Sequence, residues 1–183
     1  MTPLCTIGYE GFSSEEWLDS LVTNRIETVV DVREMPLSRK PGFSKTQLAE
    51  SLRSRAIDYV HLKSLGNPKA YRDRLREGWD FSEFADEYRR ILDNQPETLE
   101  KLHTLAVENR VCLVCFEEDP SSCHRSIVIT VKTYPNPSAK YSETVCTAGV
   151  ALDTYNFVCL YPVRKAAFHY ESKQPVRFAA KAS

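Results

Sequence analysis

The chain has 183 residues, 42% of them hydrophobic and 27% charged, which suits one well-buried core and excludes wholesale disorder. A net charge of −1 excludes a polyanion-binding surface spread over the whole molecule, and no apolar run approaches the ~18 residues that span a bilayer. Met1-Thr2-Pro3-Leu4 has no basic stretch ahead of an apolar one, so a cytoplasmic location away from membranes is expected, with the cysteines reduced.

The first apolar stretch, Leu4 to Ile7, reads as a strand that runs into a turn at Gly8-Tyr9-Glu10-Gly11. Ser13 and Glu16 have capping-box spacing, and Trp17, Leu18, Leu21 and Val22 then recur at helical spacing. Residues 28–33 are short and β-branched, which predicts a buried strand, followed by a loop holding Pro36 and Pro41. Ser44 and Gln47 predict the cap of a second helix presenting Leu48 and Leu52, and residues 57–62 predict a third strand. After a Gly66-Asn67-Pro68 turn comes a basic helical segment, then a helix over about 81–93 and another that starts at Pro96. Residues 111–116 read as a fourth strand. Strands separated by helices predict an α/β fold of three layers, a mostly parallel sheet with helices on both faces (Rossmann-like). Beyond about residue 133 the pattern degrades, so 1–133 is expected as the α/β domain and 134–183 as an irregular extension. Within it, Thr144–Thr147 and Asn156–Tyr161 are strand-like.

Chemistry-bearing residues gather where predicted strands end, the position at which parallel sheets open their binding crevices. The richest segment runs from Cys115 through Glu117 to Cys123-His124-Arg125. Its far end enters a helix, where backbone N–H groups and the dipole favour an anion, and a cysteine beside His and Arg is placed to hold a thiolate. A zinc pattern of Cys112, Cys115, Cys123 and His124 is discounted, because three-residue spacing on a strand turns Cys112 and Cys115 to opposite faces; no metal or other cofactor is expected. Phosphatase-like and sulfurtransferase-like loops need an arginine close behind the nucleophile, and Arg125 comes too late. A Cys115/Cys123 redox pair and a buried strand cysteine beside a polar loop both stay open. A second group, Asp31 and Arg33 with Ser38, Arg39 and Lys45, is suited to clamping a phosphate or carboxylate, or else to an internal ion pair that closes the strand. His61 ends the third strand as a base or a satisfied core residue. Lys63, Lys69, Arg72, Arg74 and Arg76 form a further basic run suited to a solvated face or to steering a phosphate-bearing ligand.

Several motifs occur in one order: Thr6-Ile7-Gly8-Tyr9, Asp31-Val32-Arg33 with Ser38-Arg39, Tyr59-Val60-His61-Leu62 with Leu65-Gly66, and Cys115-x-Glu117-x-Asp119-Pro120-x-x-Cys123-His124-Arg125. Over roughly residues 4–131 the chain resembles the family known as domain of unknown function 488. The resemblance implies a compact three-layer α/β domain with these motifs on one rim, and a helix at 124–133 in spite of the β-branched run there. It implies no reaction.

The residues point to an enzyme acting on a phosphate-containing ligand, a nucleotide or a modified nucleic-acid base. Cys115, Cys123, Glu117, His124 and His61 are the catalytic candidates. Gly8, Tyr9, Asp31, Arg33, Ser38, Arg39, Lys45 and Arg125 are the ligand-binding ones. The alternative is a non-catalytic module binding a nucleotide or nucleic acid on the same rim. Both expect Arg33, His61 and Cys115 to face a common cleft.

Overall fold

The computed structural model describes residues 4–133 and 157–159. Strand β1 (Leu4–Gly8) leads to α1 (Ser14–Thr23), β2 (Thr28–Asp31), α2 (Lys45–Arg53) and β3 (Asp58–His61). Helices α3 (Lys69–Arg76), α4 (Phe81–Asp93) and α5 (Pro96–Glu108) precede β4 (Val111–Cys115), α6 (His124–Thr133) and β5 (Phe157–Cys159). The strands form one sheet in the order β3-β2-β4-β1-β5, with every pairing parallel. This is the expected α/β architecture.

Alternation along the buried strands feeds two apolar layers. Cys5, Ile7, Val29, Cys112 and Val114 pack with Trp17, Leu21, Leu48 and Leu52 of α1 and α2. Leu4, Val30, Val111 and Leu113 face the other way, against Phe84, Tyr88 and Leu92 of α4, Leu102 of α5, and Ile127 and Val128 of α6. In α6 the strand-prone run is helical because Ile127, Val128 and Ile129 are all buried, and tertiary burial outweighs a weak intrinsic preference.

Local signals set the helix starts. The Ser13 side chain accepts the Glu16 N–H while the Glu16 carboxylate accepts the Ser13 N–H, satisfying two donors that the helix leaves open. Ser44 does stand at the α2 N-cap, but its side chain accepts no cap hydrogen bond; its hydroxyl donates to Gln47 Oε1, which also accepts the Gly42 N–H. Strand β2 stops two residues earlier than the pattern predicts, because Asp31 Oδ1 captures the Arg33 N–H at 3.0 Å and turns the backbone out of the ladder. Thr144–Thr147 lies outside the described residues. Phe157–Cys159, in contrast, is a strand on β1, so the tail contributes an edge to the sheet.

Candidate thiol-centred functional site

The carboxyl ends of β1, β2, β3 and β4 share one edge of the sheet, yet their polar groups separate into three places. Asp31 and Arg33 lie on the α1–α2 face as a buried ion pair of 2.6 Å, with exposures of 0% and 6%. Arg33 Nε and Nη2 donate to Asp31, and Nη1 donates to the Tyr9 hydroxyl and the Phe43 carbonyl. Tyr9 stacks on Phe43, and the Tyr59 hydroxyl donates to Asp31 Oδ2. Burial and then Asp31 push the Tyr59 phenol far above its ordinary range. The guanidinium of Arg33 is thus committed to holding the loop onto the sheet and is no open anion clamp. Ser38 accepts the Lys40 N–H, while Arg39 and Lys45 are exposed.

His61 lines a groove of ≈ 560 Å³ with Lys63, Ser64, Glu97, Thr98 and Lys101, and its Nε2 donates to the Arg33 carbonyl at 2.8 Å. The thiols lie elsewhere. Arg33, His61 and Cys115 therefore share an edge and not a cleft: Asp31 and Cys115 project to opposite faces of the sheet, and His61 opens to the separate groove beside α5.

The third place is the β4–α6 turn. Cys115 ends β4, Asp119 caps a single-turn 3-10 helix (Pro120–Ser122) by accepting the Ser121 N–H, and Cys123 follows directly before α6. Gly8 makes room for the turn: a Cβ there would lie 1.8 Å from the Glu117 carbonyl oxygen. Cys115 and Cys123 Sγ lie 2.9 and 3.2 Å from Glu117 Oε2, and 3.9 and 3.6 Å from His124 Nδ1. His124 Nε2 donates to the Val32 carbonyl at 2.8 Å, and the ring stands edge-on to Tyr88. Arg125, fully buried at 0% exposure, donates from Nε to Cys123 Sγ at 3.2 Å, from Nη1 to Thr6, and from Nη2 to the Glu117 carbonyl. Its charge is spent inside this cluster, away from solvent.

These contacts polarise the two thiols oppositely. Burial alone would push Cys123 up, but the hydrogen bond from Cys115 and the charges of Arg125 and His124 outweigh it and hold this thiol well below its usual value. The same hydrogen bond, then burial, drives Cys115 well above. Burial and the neighbouring Cys123 raise Glu117, and contact with Cys123 raises His124 against the opposing effect of burial. Cys112 sits on the other face, its Sγ against the Leu113 carbonyl. Glu117 takes the corner that the sequence pattern offered to Cys112: the ligand atoms of Cys115, Glu117, Cys123 and His124 all lie within 4.8 Å of one another, a set able to hold a metal ion.

The cluster opens into a pocket of ≈ 220 Å³ lined by Glu117, Cys123 and His124 below and by Asn67, Arg72 and Arg76 above. Arg72 is tied to Glu34 and to the Asn67 carbonyl, and Arg76, 72% exposed, pairs with Asp73 at 3.0 Å. Asn67 Oδ1 is buried with no hydrogen-bond partner. From sequence Asn67 reads as part of a turn, and Arg72 and Arg76 as part of a basic run suited to a solvated face or to steering a phosphate; nothing in its spacing singled out the two arginines that line the thiol pocket.

A family model described as domain of unknown function (DUF8758) matches residues 123–178. No curated protein and no solved structure matches the chain. A second family model covers residues 13–131, spanning α1 through most of α6 and holding the whole β4–α6 cluster, so the chain belongs to the family Domain of unknown function DUF488.

Proposed function

We propose that the chain is an enzyme acting on a phosphate-containing small molecule, a nucleotide or a modified nucleic-acid base, with its reacting centre at the β4–α6 turn. The observation that carries this reading is the convergence of Cys123, Glu117 and His124 on one pocket wall, with the Cys115 sulfur buried beside them and Arg72 and Arg76 on the same pocket. Arg76 and Arg72 supply positive charge where a phosphate would approach. The buried, unpartnered Asn67 Oδ1 favours a ligand that brings an N–H or O–H donor, such as the amino edge of a base, since an unmatched buried acceptor is costly. Glu117, the half-exposed member of the cluster, is the group placed to move a proton to or from that ligand.

The test is incubation of the purified chain with a pool of nucleotides and modified nucleosides, followed by mass spectrometry of the pool. Depletion of one class is expected, together with its loss in Cys123→Ser and Glu117→Gln and a raised KM in Arg76→Ala. Saturable binding with no conversion would put the non-catalytic binding module in its place. Neither binding nor conversion would overturn both readings.

A further inference from the structure

Four side chains in and directly behind the pocket wall come from the end of β4, the following loop and the start of α6, and their two sulfurs, one nitrogen and one oxygen lie within 4.8 Å of one another. We propose that Cys115, Cys123, His124 and Glu117 form a tetrahedral binding site for a thiophilic divalent ion of the zinc class. The proposal shares its location with the reading above but stands without it, since an ion can be held whether or not the centre turns over a substrate.

Four observations carry it. The first is size. Ordinary zinc bonds to sulfur, nitrogen and oxygen place neighbouring ligand atoms about 3.3–3.8 Å apart in a tetrahedron. The four separations between sulfur and Glu117 or His124 are 2.9, 3.2, 3.6 and 3.9 Å, so small side-chain adjustments admit the ion. The second is orientation. A carbonyl can only accept, so the 2.8 Å contact with Val32 fixes the proton of neutral His124 on Nε2 and turns the Nδ1 lone pair toward both sulfurs. An imidazole held from behind by a backbone carbonyl is the usual support of a metal-bound histidine.

The third observation is charge. With an ion bound, the two thiolates and the carboxylate would carry three negative charges, which a divalent cation and the buried Arg125 sum to zero. A neutral total is what a buried group of this many ionisable side chains tolerates best. The fourth is exposure. Cys115, Cys123 and His124 are buried, while Glu117 is the half-exposed member and lines the pocket. Three enclosed ligands and one at the mouth describe a site whose fourth corner can exchange with water or a ligand group. Sulfur and imidazole ligands select zinc over magnesium or calcium.

The experiment uses the reduced full-length chain, stripped with a chelator and titrated with zinc against a chromophoric competitor, and in parallel with cobalt. One ion per chain is expected, with a sulfur-to-cobalt charge-transfer band and the strong visible bands of tetrahedral cobalt. Zinc should protect Cys115 and Cys123 from iodoacetamide and leave the labelling of Cys5 and Cys112 unchanged. His124→Gln and Cys115→Ser should weaken zinc binding by about 10–100-fold or more. Glu117→Gln should keep the ion while shifting the cobalt spectrum, as water takes the fourth corner. The cobalt spectrum of the unaltered chain needs no variant to fold. Absence of the charge-transfer band, or binding unchanged in a Cys115→Ser/Cys123→Ser double variant, overturns the site. Turnover of a nucleotide by stripped protein that shows no cobalt band removes the metal and leaves the enzyme; tight zinc without turnover of any pool member leaves the metal and removes the enzyme.

Discussion

Asp31 accepts from both Arg33 and Tyr59, so one buried carboxylate ties the β2 end to the following loop and to β3. Replacing Tyr59 by Phe removes a hydrogen bond to a charged acceptor and should cost about 1.5–3 kcal/mol at neutral pH by urea denaturation. The sign of its pH dependence follows from the raised phenol. The unfolded chain ionises Tyr59 near the ordinary value of about 10 while the folded protein does not, so the contribution is complete below that value and is lost as pH rises beyond it. The gap between wild type and Tyr59→Phe should therefore narrow in alkaline solution; a gap that widens there would contradict the bond to Asp31. Sequence alone left Asp31-x-Arg33 equally suited to a ligand clamp and to an ion pair, because the deciding partners, Tyr9 and the Phe43 carbonyl, are distant in the chain.

Between elements, the closest approach at the site is that of β1 to the β4–α6 turn. An Ala at Gly8 would set its Cβ against the Glu117 carbonyl, so one of the two backbones must shift. Gly8→Ala should cost about 1–3 kcal/mol, as overpacking does, and should also displace Glu117, slowing or speeding iodoacetamide modification of Cys123 in folded protein. Gly42→Ala is the control: with φ +87° and a Cβ 2.8 Å from that of Ser14, it should destabilise the fold while Cys123 reacts as in wild type. Equal effects of both variants on Cys123 would deny Gly8 its local role. Helices were the legible elements, since their caps and apolar spacing are local. Strand ends were less so: at β2 a single side chain, Asp31, ends the strand although β-branched Val32 follows it.

Among the described residues the sheet parts the Asp31–Arg33 pair from the thiol cluster, one on each face. Register explains it: Asp31 pairs with Val114 and shares its α1–α2 face, so Cys115, one residue on, projects to the α4–α6 face. The motif positions were legible in the sequence, but their face was not, because parity between strands is set by pairing. The same parity correctly removed Cys112 from any site with Cys115, while Glu117 could be recruited only by the turn that follows. Leu52→Ala, on the α2 side, should cost about 2–5 kcal/mol in urea yet leave the modification rate of Cys123 in folded protein unchanged. Tyr88→Leu, which removes the ring against His124, should alter that rate. A matching change in both would show that the two faces are not independent.

Two consecutive peptide groups just beyond β2 each accept an imidazole: the Val32 carbonyl from His124 and the Arg33 carbonyl from His61. The first imidazole belongs to the thiol pocket and the second to the groove beside α5. Polarisation of a carbonyl shifts the electron density of the amide nitrogen bonded to it. The amide resonances of Arg33 and Glu34 are therefore adjacent reporters of two different cavities, and one pair of magnetic-resonance signals can tell which of the two an added compound has entered.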